Sequence, residues 1–282
     1  MIAASSSEKK AKKERADAMD QLILREDNDG IAILTLNAPK SINALSDAMI
    51  AELTGQLDAI SDDRSVKVMI LRSAGEQFCA GHNLKEMTAN RSEADGGFAY
   101  FNDLFARCSA MMLKITQLPQ PVIAEVKGIA TAAGCQLVAT CDLAVAADDA
   151  RFATSGVNIG LFCSTPMVAL SRNVARKHAM EMLLMGEFQP ADRALELGLV
   201  NRVVPRAELE EASMAMARVI ADKSPAAVKI GKEAFYKQAE MSLEEAYAYT
   251  GRVMADNMMT KDTKAGIGAF VAKEHMPKWT GE

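Results

Sequence analysis

Two stretches of this 282-residue chain concentrate glycine and alanine where the polypeptide passes from a strand pattern into a helical one. The first is Phe78-Cys79-Ala80-Gly81-His82-Asn83-Leu84-Lys85-Glu86. The second is Gly128-Ile129-Ala130-Thr131-Ala132-Ala133-Gly134-Cys135-Gln136. Small residues let a ligand approach the main chain closely. A helix beginning just after the second stretch aims free N–H groups and a partial positive charge at whatever sits there. Two converging N–H donors make an oxyanion hole. Either stretch alone is as well explained by tight packing, but the two together, in this order and spacing, point to such a hole.

Other chemistry is poorly supported. Cys79, Cys108, Cys135, Cys141 and Cys163 are odd in number and contain no CxxC pair, so free thiols in a reducing compartment are expected, with a cytoplasmic location and no metal site. His82, His178 and His275 are too scattered for a ligand set. Cys163 has no histidine evidently placed to activate it and reads as a structural thiol.

The elements that must position the two stretches follow from periodicity. LILREDNDGIAILTLN reads as a hairpin turning at Asp27-Asn28-Asp29-Gly30. Ser46 is placed to cap a helix from about Asp47 to Ile60, with Met49, Ile50, Leu53, Leu57 and Ile60 at three- and four-residue steps. VKVMILRS, PVIAEVKG and CDLAVAA read as strands, and Gly96 to Ile115 as a long helix. Alternating strands and helices imply an α/β architecture with its functional groups in loops at strand ends. After about Pro190 helical patterns dominate. Leu243, Ala246, Tyr249 and Val253 give one helix an apolar face suited to internal packing and to subunit contacts.

Composition sets limits on partners. With 49% hydrophobic and 24% charged residues the chain can bury a sizeable core. A net charge of -5 argues against a nucleic-acid binder. No apolar run reaches the roughly 18 residues of a membrane span. Residues 1–20 lack the apolar middle of a secretory signal, and Glu8, Glu14, Asp17 and Asp20 are residues a transit peptide would avoid, so they read as a solvated, partly helical tail. Residues 21–205 are expected to form the core carrying the site, and residues 206–282 a helical subdomain.

LNAPKSINALS, FCAGHNLKEM, PVIAEVKGIATAAGCQLVATCDLAVAADDARFA, SGVNIGLF and GEFQPADRALELGLVNRVV together resemble the crotonase (enoyl-CoA hydratase/isomerase) superfamily, over about Leu22 to Trp279. The resemblance implies a crotonase-type spiral of ββα repeats with a helical C-terminal oligomerisation subdomain, assembled as a homotrimer or a hexamer. It implies an acyl-CoA thioester as ligand, with coenzyme A as part of the substrate and no separate cofactor. By the same resemblance the two hole donors are the backbones of His82 and Ala133, flanked by Ala80, Gly81 and Gly134. Lys40, Ser41, Ile42 and Lys85 are its candidates for holding the CoA moiety. Phe270 and Lys273 match a C-terminal helix that reaches the CoA of a neighbouring subunit.

The hydratases of that family place one glutamate on each of two segments for acid–base chemistry. Those positions fall here on Gln136, which can orient water but transfers no proton at useful pH, and on Gly156, which has no side chain to offer. The aspartate of the dehalogenase branch would fall near Ser164. The expectation is therefore a family protein that polarises an acyl-CoA thioester in fatty-acid or related acyl-CoA metabolism and hydrates poorly. The alternative is a non-catalytic acyl-CoA-binding carrier, sensor or complex subunit. No Ser-His-Asp set falls on the right loops for a protease.

Overall fold

The computed structural model describes residues 21–282, so the expected N-terminal tail lies outside the described residues. Strands β1 (Ile23–Asn28) and β2 (Ile31–Leu36) form the expected hairpin. Its tip is the two-residue turn Asp29-Gly30, with φ of 49° and 80°, the left-handed pair that matches strand twist. Helix α1 (Asp47–Asp62) follows, and the Ser46 side chain caps it by accepting the Met49 N–H at 3.1 Å. Then come β3 (Val68–Ser73), α2 (Leu84–Ala89), α3 (Phe98–Gln117), β4 (Val122–Val126), β5 (Ile129–Thr131) and α4 (Ala133–Thr140). After β6 (Leu143–Ala147) and β7 (Arg151–Ala153), a 3-10 turn covers Ser155–Ile159. The remaining elements are α5 (Pro166–Asn173), α6 (Arg176–Met185), β8 (Gln189–Pro190), α7 (Ala191–Glu196), β9 (Arg202–Val204), α8 (Leu209–Ala221), α9 (Pro225–Gln238), α10 (Leu243–Met258) and α11 (Lys261–Ala272).

Two sheets are interleaved along the chain. The larger has the order β1-β2-β3-β4-β6-β9 and is parallel from β2 onward. The smaller is β5-β7-β8, extended by single bridges at Cys79↔Ala130 and Leu45↔His82. Strands β2, β3, β4 and β6 of the large sheet are thus each followed by a short extended piece in the small one, then by a helical segment. That is the crotonase spiral, and it stacks the two glycine-and-alanine stretches beside each other. The central strands of the large sheet are buried on both faces, which is why VMILRS and VIAEV read as nearly continuous apolar runs.

One face of the large sheet packs on α1, α3 and α4 through residues such as Leu34, Leu53, Leu71, Met111, Ala124 and Leu137. The other face packs Ile33, Val68, Ile70, Ile123 and Val145 against Leu209, Met216, Ala217 and Ala221 of α8. Helix α8 lies beyond residue 205 yet covers the core sheet. The helices that stand away from the sheet begin at α9.

Helix α9 is fastened to the core by a buried charge. The Lys232 ammonium donates to Asp142 Oδ2 at 2.7 Å and to the carbonyls of Ile115 at 2.9 Å and Gln120 at 3.0 Å. The Asp142 carboxylate also accepts the Val122 N–H at 2.7 Å and the Tyr236 hydroxyl at 2.9 Å. Helix α10 has no buried residue. Ala246, Tyr249 and Val253 are half-covered, while Leu243, Tyr247 and Met254 are exposed. Among the described residues no helix is long and apolar enough to cross a membrane.

Candidate active site

The two stretches meet as adjacent edges of the small sheet. Leu45 N–H donates to the Gly81 carbonyl at 2.8 Å and Asn83 N–H to the Leu45 carbonyl at 3.3 Å, while Thr131 N–H donates to the Cys79 carbonyl at 3.0 Å. A Cβ on Gly81, whose φ is 86°, would lie 3.0 Å from Ala132 Cβ and 3.1 Å from the Ala133 nitrogen. A Cβ on Gly134 would lie 2.8 Å from the Cys79 carbonyl carbon. These two glycines let the stretches touch, and in doing so bring the backbones of His82 and Ala133 close together. Among the described residues no acceptor takes the N–H of either. A pair of free, neighbouring N–H groups, one of them at the first residue of α4, is the geometry that stabilises negative charge on a carbonyl oxygen.

The backbone is strained where it must turn into that helix. Ala132 has φ 50° and ψ −119°, a combination that costs a residue with a Cβ about 1–3 kcal/mol. Its own N–H is held by the Ala153 carbonyl at 2.9 Å, and the turn leaves the next N–H, of Ala133, without an acceptor. Strain of this kind persists only where surrounding structure over-determines it. A second such place is Ile42-Asn43, with φ of 54° and 50°. Asn43 is fully buried: its side chain accepts the Ala38 N–H at 2.8 Å and donates to the carbonyls of Ala74 at 3.1 Å and Gln77 at 3.0 Å. The Ile42 carbonyl accepts the Ala80 N–H at 2.9 Å. Asn43 therefore buttresses the loop bearing His82, a role no spacing rule singles out.

The His82 side chain sits edge-on to Phe105 of α3, with ring centroids 5.5 Å apart. Its two ring nitrogens are buried and lack a partner among the described residues. Burial pushes this imidazole below its usual range, while the approach of the Leu45 main chain and the charge of Asp47 oppose the shift and Arg107 assists it. Beyond it lies a connected polar group. Asn83 caps α2 and donates to Glu86 Oε1 at 2.9 Å, and Glu86 Oε2 accepts the Asp47 N–H at 3.0 Å. Asp47 accepts from Arg107 at 2.7 Å and from the Tyr100 hydroxyl at 3.1 Å. Desolvation and the Asp47 contact push that phenol up to about 12.

Gln136, one turn into α4, is 5% exposed and its Oε1 has no partner. Thr154 Oγ1, on the segment approaching Gly156, is buried and unpartnered too. Thr131 and Ser155 tie these two segments through a hydroxyl pair at 2.7 Å. Gly156 does not line an open surface. Its carbonyl accepts the Leu161 N–H at 2.9 Å, and a Cβ there would overlap the Leu161 carbonyl oxygen and lie 2.9 Å from Cys163 Sγ. The turn through Leu161 thus covers Gly156. Burial raises the Cys163 thiol, as it does Cys135, to about 12 in the latter case, so neither is a ready nucleophile.

Lys40 and Ser41 sit exposed on a 3-10 turn with Ile42 at its end, on the loop stitched to Ala80 and Gly81. Lys85 is exposed in the first turn of α2. Three segments thus converge around the His82 and Ala133 backbones. Phe270, 74% exposed, and Lys273 belong to the end of α11, which packs on α9 and α10.

The sequence profile of the Enoyl-CoA hydratase/isomerase family matches residues 26–282. A human relative, enoyl-CoA hydratase domain-containing protein 3, mitochondrial, is 48% identical over 254 residues, covering 90% of this chain and 82% of that protein. A solved enoyl-CoA hydratase of Mycobacterium smegmatis superposes with TM-score 0.88 at 53% identity, covering 92% of this chain and 99% of that one. The human domain-containing protein 3 structure gives TM-score 0.86 at 46% identity, covering 91% and 100%. The cytoplasmic location expected from the sequence is corrected by the relatives named as mitochondrial, which point to that compartment instead. Free buried thiols report a reducing surrounding, not a particular compartment. With nearly its whole length matched in both sequence and fold, the chain belongs to the enoyl-CoA hydratase/isomerase family of the crotonase superfamily.

Proposed function

We propose that this protein binds an acyl-CoA thioester and polarises its carbonyl between the N–H groups of His82 and Ala133. The observation that carries the reading is that these two neighbouring N–H groups have no acceptor among the described residues, while glycines at 81 and 134 keep them in close approach. Lys40 and Lys85, on loops stitched to the hole, are the cations proposed to meet the phosphates of CoA. Exposed Leu243, Tyr247, Met254 and Phe270 are proposed to pack in a homotrimer or hexamer, in which Phe270 and Lys273 of one subunit would approach a neighbour's ligand.

Ordinary hydration is proposed to be slow. Gln136 transfers no proton, and Gly156 both lacks a carboxylate and leaves no room for one, since the Leu161 carbonyl occupies the space its Cβ would need. Crowding at Gly156 equally supports the second reading, a carrier, sensor or complex subunit that holds the thioester without turnover. Incubating the pure protein with crotonyl-CoA and longer 2-enoyl-CoAs tests the first statement. The expected rate is at least about 10²-fold below that of a two-glutamate hydratase, the scale of losing one positioned acid–base group. A rate equal to such a hydratase would overturn it.

A further inference from the structure

Glu86 stands in the first turn of α2, at the end of the loop that carries the His82 N–H, and reaches the first residue of α1. Its half-buried carboxylate accepts the Asn83 side-chain amide through Oε1 at 2.9 Å and the Asp47 N–H through Oε2 at 3.0 Å. Both partners are donors that cannot turn round. Asp47 offers a main-chain N–H, and the Asn83 side-chain oxygen is already taken as the cap of α2, accepting the N–H of Lys85 at 3.1 Å and of Glu86 at 3.4 Å. The Asn83 NH2 must therefore face Glu86. A carboxylate accepts at both oxygens, whereas a glutamine in either orientation would set an NH2 against one of these donors.

The far end of this tie is rigid. Helix α1 buries Met49, Ile50, Leu53, Leu57 and Ile60 in the core, and the Asp47 side chain is held by Arg107 of α3 at 2.7 Å and by the Tyr100 hydroxyl at 3.1 Å. The near end is the residue after His82. Leu45 N–H donates to the Gly81 carbonyl at 2.8 Å, and the Leu45 carbonyl accepts the Asn83 N–H at 3.3 Å. This parallel pairing uses the residues on either side of His82 and leaves its own N–H facing away from Leu45. The second of those bonds is long, and the two bonds of Glu86 continue the same seam beyond it.

Resting on the binding mode proposed above, we infer that Glu86 is the positioning residue for the His82 donor: by tying Asn83 to the start of α1, its carboxylate fixes the angle at which the His82 N–H meets the thioester oxygen. It touches no ligand and acts through Asn83, the next residue after the donor. A hydrogen bond weakens steeply as its angle closes from the straight line, so a displacement too small to unfold the loop is enough to spoil polarisation. Affinity draws on contacts elsewhere, at Lys40 among them, so polarisation falls further than affinity when the tie is cut.

The test uses the full chain and butyryl-CoA carrying carbon-13 at its carbonyl, with isotope-edited infrared spectroscopy to read polarisation and calorimetry to read affinity. In the wild-type complex the carbonyl stretch is expected at lower wavenumber than in the free ligand. Glu86→Gln keeps the shape of the side chain and is expected to bind within about tenfold of wild type while the shift falls to about half or less. Glu86→Ala removes both acceptors without setting a donor against a donor, and serves as the second variant with the same expected loss. Tyr236→Phe removes one hydrogen bond from Asp142, outside the loop, and is expected to lower the thermal midpoint by about 2–4 °C with the shift unchanged. A wild-type shift retained in both Glu86 variants overturns the role of Glu86 and leaves the hole intact. So does affinity weakened more than about tenfold in both, which would make Glu86 a support of the whole loop, or a shift that Tyr236→Phe lowers as far as Glu86→Gln does. No binding by wild type, or binding with no shift, overturns the binding mode itself.

Discussion

The polar knot at Lys232 and the cluster around the hole are both buried in the same α/β core, and they are built on opposite rules. At the knot every group is used: Lys232 donates three hydrogen bonds, and Asp142 receives Lys232, Tyr236 and a backbone N–H. Around His82 and Ala133 the two backbone N–H groups and the Gln136 side-chain oxygen have no partner among the described residues, and Ala132 is strained. Satisfied buried charge fixes a helix in place, whereas unsatisfied groups and strained backbone are tolerated where a ligand is to complete them. The first region holds the second still.

That contrast can be broken most severely at the knot. Lys232→Ala leaves the Asp142 carboxylate buried without its cation and is expected to cost about 3–5 kcal/mol in urea unfolding. A cost under about 1 kcal/mol would show that the knot is not what fastens α9. His82→Gln, by contrast, keeps its backbone N–H and removes no buried charge, and is expected to change stability by less than about 1 kcal/mol in the same unfolding measurement. Next comes Gly156→Ala, which forces a methyl group toward the Leu161 carbonyl. Overpacking of this kind is expected to cost about 1–3 kcal/mol and to lower the thermal midpoint. An unchanged midpoint would mean that the Leu161 turn yields easily, and that a carboxylate at 156 is sterically allowed after all. The smallest effect belongs to Ala132→Gly, which relieves a positive φ and is expected to raise stability by about 0.5–1 kcal/mol with butyryl-CoA binding kept. A loss of stability there would remove strain from the description of the hole.

Much of this was legible in the sequence because it rests on local rules. The hairpin turn at Asp29-Gly30, the Ser46 cap and the apolar stripe of α1 are set by residues within a few positions of each other. The small-residue stretches around Gly81 and Gly134 also announce close approach, since glycine is what such approach requires. Other features depend on partners far along the chain and leave no local trace. Asp142 stands at the start of a strand with nothing nearby in sequence to mark it, and Lys232, 90 positions away, makes it the centre of an ion pair. Asn43 carries no local signal of its role, because the carbonyls of Ala74 and Gln77 that hold it lie 31 and 34 positions on.

The amino-acid sequence alone determined the class of fold, the two glycine-and-alanine stretches, and the presence of Gln136 and Gly156 where a carboxylate would stand, because residue identity and short-range periodicity suffice for each. Only the tertiary structure decided that the His82 and Ala133 N–H groups find no acceptor among the described residues, that the nitrogens of the His82 ring are enclosed, and that the space above Gly156 is filled. Each of these is a relation between segments separated by a loop or a whole spiral turn. Whether a polar group is satisfied depends on what the rest of the chain brings to it, and that is settled only when the layers pack.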